Sequence, residues 1–276
     1  MVMPRTASGQ GHTSWQELLG PAAPGSHVVQ LYDSDAFLAN AVSYFAAEGL
    51  QRGEAVLLTG TKAHLDGIRR DLRMRGVDTG ACARSGQLRE TDVETFAAAA
   101  MSGEALQRAA LDAVLGAALA GVRADPRFKV VRWWGETSAV VYQRAGVEVA
   151  LSAETSGDEM AKEHGLTLFC SYHCDRFDPR GYDGVLRDIC CKHSHLIPAE
   201  DYARHRVIVN RAIDEVLGGL TGSLLQSLAS WRGLHCDQPS SQAILFWLRD
   251  TMPDQFEAVL SRARAYHMEH DPRASA

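Results

Sequence analysis

Four short apolar runs punctuate the first two-thirds of the chain: Val28–Tyr32, Ala55–Thr59, Lys129–Trp134 and Leu166–Tyr172. Each is continuous rather than alternating, the pattern of a strand covered on both faces. Between them lie segments of helical length, Asp35–Leu50, Thr61–Arg75, Gly103–Ala124 and Ala139–His164. Gly49, Gly53, Gly76, Gly121 and Gly165 fall near helix ends, where a left-handed residue is often needed. Alternating β and α blocks predict an α/β fold, an open and mostly parallel sheet with helices on both faces. Past Pro198 the pattern changes. Ala199–Leu217, Ser223–Trp231, Ser241–Thr251 and Asp254–His267 all read as helices, and no strand follows. Phe256, Val259, Leu260, Ala263 and Tyr266 form one apolar stripe along the last. The chain divides into a flexible lead-in (1–24), an α/β domain (25–198) and an α-helical C-terminal region (199–276).

The first strand–helix–strand unit has the layout of a nucleotide-binding domain but lacks its phosphate loop. Such a loop needs G-x-x-x-x-G-K-[ST], so that bare backbone N–H groups wrap the phosphates and a Lys neutralises them. Tyr32-Asp33-Ser34-Asp35-Ala36-Phe37-Leu38 contains neither Gly nor Lys and carries two carboxylates that would repel phosphate. ATP binding is therefore not expected here.

Composition narrows the function classes further. A net charge of −6 argues against a dominant grip on nucleic acid or anionic lipid, so direct nucleic-acid binding is not expected. The cluster Arg69, Arg70, Arg73 and Arg75 reads as a solvated helix face. No apolar run approaches the roughly 20 residues of a membrane span, and the first 24 residues lack an export signal's apolar core. Six cysteines in such a chain point to the reducing cytoplasm and to free thiols.

Candidate chemistry gathers at strand ends. Glu136 follows the third run, at the carboxyl end where open α/β sheets bind ligands, although a carboxylate there also suits a helix N-terminus. Trp133 and Trp134 are adjacent, so their rings face opposite sides of a strand, one in the core and one free to line a pocket. Cys170, Ser171, Tyr172, His173 and Cys174 end the fourth run, and Cys190, Cys191, His193 and His195 follow closely. This density of thiols and imidazoles could hold zinc, iron or haem, with Cys170 and His193 the first ligands and Cys174 and His195 next. The spacing matches no familiar zinc pattern, and buried core thiols are the plainer account. His27, at the head of the first strand, reads as structural. Nucleophile motifs are absent, and a Cys170–His193 pair is the one catalytic option.

His27, Leu31-Tyr32, Phe45, Gly49-Leu50, Gly53-Glu54, Gly135-Glu136, Glu154, Cys170-Ser171-Tyr172 and His193, in this order, resemble the MEDS family, the sensory domain of methanogens, methylotrophs and the dichloromethane regulator. The resemblance covers about 26–198. It implies a RecA/KaiC-like scaffold without a working phosphate loop. It also implies a role in bacterial signalling or transcriptional control, through a small, hydrocarbon-derived ligand and partners such as histidine kinases, anti-sigma-type ATPases or DNA-binding modules. Two positions depart from the family pattern: His173 replaces an Asp, and His193-Ser194-His195 replaces a His-Pro pair.

The leading expectation is thus a cytoplasmic, non-enzymatic sensor binding a small ligand at one sheet edge. Tyr32, Trp134, Glu136, Cys170, Tyr172 and His193 would converge there, joined by Glu154, with His27 awkwardly at the opposite edge. The alternatives are a Cys/His-dependent metal- or haem-binding protein or enzyme, and a pure protein-interaction module. Ile244, Phe246, Trp247 and Leu248 span too wide an arc for one packing face, which predicts a homodimer or a dedicated partner at the C-terminal helices.

Overall fold

The sheet-forming segments of the chain are β1 (His27–Tyr32), β2 (Ala55–Gly60), β3 (Leu88–Asp92), the two-residue strands β4 (Met101–Ser102) and β5 (Ala105–Leu106), β6 (Val131–Gly135), β7 (Thr167–His173) and β8 (His195–Ile197). The computed structural model describes residues 14–103, 105–182, 185–219 and 240–269. Six strands form one all-parallel sheet in the order β3-β2-β6-β7-β1-β8, and β4 and β5 pair as a small antiparallel hairpin. All four expected strands are present. The strands β3 and β8 are additional, and both lie at sheet edges, where one side of the ladder is free and an apolar run is not required.

The helices before β6 are α1 (Trp15–Leu19), α2 (Asp35–Gln51), α3 (Lys62–Met74), α4 (Thr79–Arg84), α5 (Val93–Ala100) and α6 (Arg108–Arg123). Ser34 and Thr61 begin α2 and α3 by accepting hydrogen bonds from the backbone N–H groups of Phe37 and His64. Helix α1 falls inside the expected lead-in, yet Trp15 and Leu19 are buried. The Trp15 ring meets Phe37 and Tyr44 edge-on and donates its N–H to the carbonyl of Glu200 at 3.0 Å. Residues 1–13 of that lead-in lie outside the described residues.

After β6 come α7 (Thr137–Ala145) and α8 (Val147–His164), where one helix is expected. Gly146 divides them with φ 83° and ψ −178°, a conformation that only glycine adopts without strain. The chain continues through α9 (Val185–Lys192), α10 (Tyr202–Leu217), α11 (Ser240–Thr251) and α12 (Pro253–Glu269). The expected helix Ser223–Trp231 lies outside the described residues.

Two buried clusters flank the sheet. Val28, Tyr32, Trp134 and Phe169 pack against α1, α2 and α3 on one face. Val29, Leu31, Trp133, Leu168, Cys170 and Tyr172 belong to the cluster on the other, with α5, α6, α8 and the C-terminal helices. Ile208, Ile213, Ile244, Phe246, Leu248 and Phe256 are part of that same cluster. The wide apolar arc of α11 is thereby covered within the chain. Phe246 packs on Tyr182 with ring centroids 5.4 Å apart, and only Trp247 remains half-buried.

A fully buried cation anchors the first face. The Arg132 guanidinium pairs with Glu54 and donates to the carbonyls of Leu19 at 2.8 Å and Gly20 at 2.9 Å, so its charge is neutralised and its donors are used. A Cβ on Gly49 would stand 2.7 Å from Arg132 Cδ. Gly49 and Glu54, two residues that carry the family resemblance, thus serve to house Arg132. Across three of the four central strands, Trp134 donates to Ser171 Oγ at 2.9 Å, and Ser171 donates to Gln30 Oε1 at 3.1 Å.

Candidate functional site

The residues expected in one pocket fall into two groups, because side chains on a strand alternate between faces. Tyr32, Trp134 and Glu136 lie on the α2–α3 side. His27, Glu154, Cys170, Tyr172 and His193 lie together on the other. His27 heads β1, but its odd-numbered position shares the face of Val29 and Leu31, so it joins the second group.

That second group is a buried polar cluster. His27, Glu154, Cys170 and His193 are each less than a tenth exposed, and one ligand atom from each lies within 4.8 Å of all the others. Glu154 Oε2 is 3.2 Å from His27 Nε2, 3.3 Å from His193 Nε2 and 3.7 Å from Cys170 Sγ. His27 Nε2 is also 3.3 Å from Cys170 Sγ. The Tyr172 hydroxyl donates to the other carboxylate oxygen, Oε1. Glu154 reaches the cluster from α8, whose small residues Ala150, Ala153, Gly157 and Ala161 form its buried stripe.

His193 is held in place by its neighbours. Its Nδ1–H donates to the Ile189 carbonyl at 2.7 Å, a partner that can only accept, so in the neutral ring Nε2 carries a lone pair. Next to it, Ser194 donates its N–H to the His27 carbonyl at 2.7 Å and accepts the His27 N–H at 3.1 Å. A proline at 194 would have no N–H to give. The departure from the family's His-Pro pair therefore ties His193 to His27, and their rings lie 3.9 Å apart.

Burial and the adjacent His193 lower His27 to a pKa of about 4, against the pull of Glu154. Burial alone would raise the Glu154 carboxyl, but His193 and His27 hold it well below the usual carboxylate range. The Cys170 thiol and the Tyr172 hydroxyl are pushed well up by burial and by Glu154. Glu154 is thus the anion of the cluster, and Tyr172 and Cys170 are its proton-bearing neighbours.

A cavity of about 40 Å³ borders the cluster, with Leu111, Trp133, Met160 and Leu168 among its walls alongside Glu154 and Cys170. One water needs roughly 10–15 Å³ by the same measure, so the chamber takes a molecule of a few heavy atoms and has no room for a haem macrocycle. It is Trp133 that borders the chamber; Trp134 packs on the opposite face.

Glu136 builds a different site at the carboxyl ends of β1, β2 and β6. It accepts from the Thr61 backbone N–H at 3.1 Å, from His64 Nδ1–H at 2.8 Å and from the Tyr32 hydroxyl at 3.4 Å. The carboxylate therefore sits at the start of α3, where the helix dipole favours an anion. The hydrogen bond to Glu136 raises the His64 pKa. No pattern in the sequence singles out His64.

Cys174 and His195 stand apart from the buried cluster. Cys174 lies four residues beyond Cys170, about 13 Å along an extended chain, and burial with nearby Asp175 pushes its thiol up to about 12. His195 opens β8, with Nδ1 2.8 Å from Ser194 Oγ. In the loop that lacks phosphate chemistry, Asp33 pairs with Arg176.

Comparison with known proteins adds a family. The MEDS model (MEthanogen/methylotroph, DcmR Sensory domain) matches residues 26–194, more than half of the chain and the whole of both groups just described. Curated proteins give no match. Among solved structures, that of C. elegans PCH-2 is similar at 13% identity, over 86% of this chain and 71% of that one, with a TM-score of 0.25.

Proposed function

Since this chain belongs to the MEDS family of sensory domains, we propose that it is a signalling protein whose sensor is the chamber beside Glu154 and Cys170. The observation that carries this reading is the pairing of a small apolar cavity with a buried, fully converged polar cluster on one wall. Such pockets recognise a ligand by shape and fix its orientation with a few polar groups. The ligand class is a small organic molecule of a few heavy atoms, largely apolar, with one group able to hydrogen-bond Glu154 or Cys170.

The output in this reading is a partner, such as a histidine kinase or transcription regulator, or a second copy of the chain, engaged through the C-terminal helices. Those helices share the chamber's hydrophobic cluster, and Arg264 of α12 pairs with Asp175 beyond β7 at 2.7 Å. No helix among the described residues is long and apolar enough to cross a membrane. We place the protein's action in the cytoplasm.

The test uses Met160, whose side chain lines the chamber. With the full chain labelled at methionine methyls, titration with xenon and with methanol, ethanol and ethanethiol should shift the Met160 resonance saturably. Ala153→Leu, which fills the chamber, should abolish the shift. A Met160 resonance unmoved by every probe would overturn the assignment of the chamber as the sensor.

A further inference from the structure

We propose that His27, Glu154, Cys170 and His193 form a binding site for one divalent transition-metal ion of the zinc type. The proposal goes beyond the sensor reading and does not require it.

Zinc bonds of about 2.0–2.1 Å to nitrogen or oxygen and about 2.3 Å to sulfur, in a tetrahedron, separate N/O ligand pairs by about 3.3 Å and N/O–S pairs by about 3.6 Å. The cluster shows 3.2 and 3.3 Å for its two nitrogen–oxygen edges. Its nitrogen–sulfur and oxygen–sulfur edges are 3.3 and 3.7 Å. Four edges of the ligand tetrahedron are therefore already at coordination spacing. Two imidazoles, a carboxylate and a thiol suit zinc, cobalt and ferrous iron, and are a poor match for calcium or magnesium.

His193 aims a buried ring nitrogen into the cluster. His193 Nε2 is buried and has no hydrogen-bond partner among the described residues, yet it points at Glu154 Oε2 3.3 Å away. His193 Nδ1–H donates to the Ile189 carbonyl, so the place between Nε2 and Glu154 Oε2 belongs either to a second ring proton or to a metal ion. A metal ion placed there joins the two atoms without a second proton on the ring.

The outer shell is also that of a metal centre. The backbone carbonyl of Ile189 fixes the His193 ring, and Tyr172 occupies Glu154 Oε1 and leaves Oε2 for the ion, while His27 Nδ1 has no hydrogen-bond partner among the described residues. On binding, the Cys170 thiol loses its proton to solvent and a metal–sulfur bond forms. One thiolate and one carboxylate then balance the ion's two charges inside the core.

The test is made on the full chain, purified without chelators from zinc-supplemented and from cobalt-supplemented cells. Elemental analysis should find about one equivalent of zinc or cobalt per chain. The cobalt form should show the near-ultraviolet thiolate-to-cobalt band and the visible bands of tetrahedral cobalt. Cys170→Ser should abolish the thiolate band. Removing an outer-shell partner typically costs 10–100-fold in affinity, so His193→Gln should weaken zinc binding by more than about 100-fold. Folded wild-type protein holding less than about a tenth of an equivalent, and taking up neither ion on addition, would overturn the proposal. So would nitrogen NMR showing His193 protonated on both nitrogens with zinc in excess, since a proton would then fill the place assigned to the metal. Should either variant fail to fold, the wild-type stoichiometry and cobalt spectrum still decide. These readouts involve no organic ligand, so failure of the metal site is distinct from failure of the chamber as a sensor.

Discussion

His205 of α10 is buried against α11 and the residues after β7, with Nδ1 3.0 Å from Ser241 Oγ and its ring stacked on Phe177. Burial, with Arg176 and His267 nearby, lowers its pKa to about 3. The unfolded chain protonates this imidazole below about 6.5, whereas the folded chain refuses the proton until about pH 3. Stability from this residue is therefore fully present above pH 6.5 and is lost as pH falls through that window. At pH 5 the loss should be about 2 kcal/mol. Urea unfolding at pH 7 and pH 5 checks it: the wild type should lose about 2 kcal/mol more than His205→Gln. Equal losses would contradict the assignment. Glu154 shows how far single residues were legible. An acid within the small-residue stripe Ala150, Ala153, Gly157 and Ala161 is a sequence signal for a buried carboxylate, but only the family resemblance drew attention to it.

At the scale of elements, the four central strands were readable because each is an unbroken apolar run. That same property hid the site. A strand buried on both faces carries no alternation, so nothing in Leu168–Tyr172 says which side chain points to which layer. Residues that follow strand ends looked as if they shared one edge, and the pleat separated Glu136 from Cys170. The polar β3 and the three-residue β8 were invisible for the opposite reason, having too few apolar positions to stand out. Helix α7 merged with α8 because the break is a single glycine in an otherwise helical text. Gly146→Ala should cost about 2 kcal/mol, since alanine is strained at φ 83°. Denaturant titration of the variant measures this directly, and a neutral result would mean that the junction can relax into one continuous helix.

For the whole molecule, the change of pattern at Pro198 marks a change of architecture. It does not mark a change of core. The helices α10 to α12 contribute Ile208, Phe246, Phe256 and Leu260 to the cluster that also contains Trp133 and Cys170. A chain ending at residue 198 should therefore expose this face, lose cooperative unfolding and aggregate, as calorimetry and light scattering would show. A soluble, cooperatively melting 1–198 fragment would establish independence instead. One buried feature bears on how such a molecule could move. The hydrogen bonds from Trp134 to Ser171 and from Ser171 to Gln30 stitch β6, β7 and β1 side by side beneath the backbone ladder. Sliding one of these strands past another would break buried side-chain bonds as well as the ladder, so the centre of the sheet behaves as a stiff plate. The chamber lies against the other face of that plate, with Glu154 of α8 on its wall. Ser194 bonds the segment of His193 to the His27 backbone of β1, so both imidazoles are carried by the plate while Glu154 rides on α8.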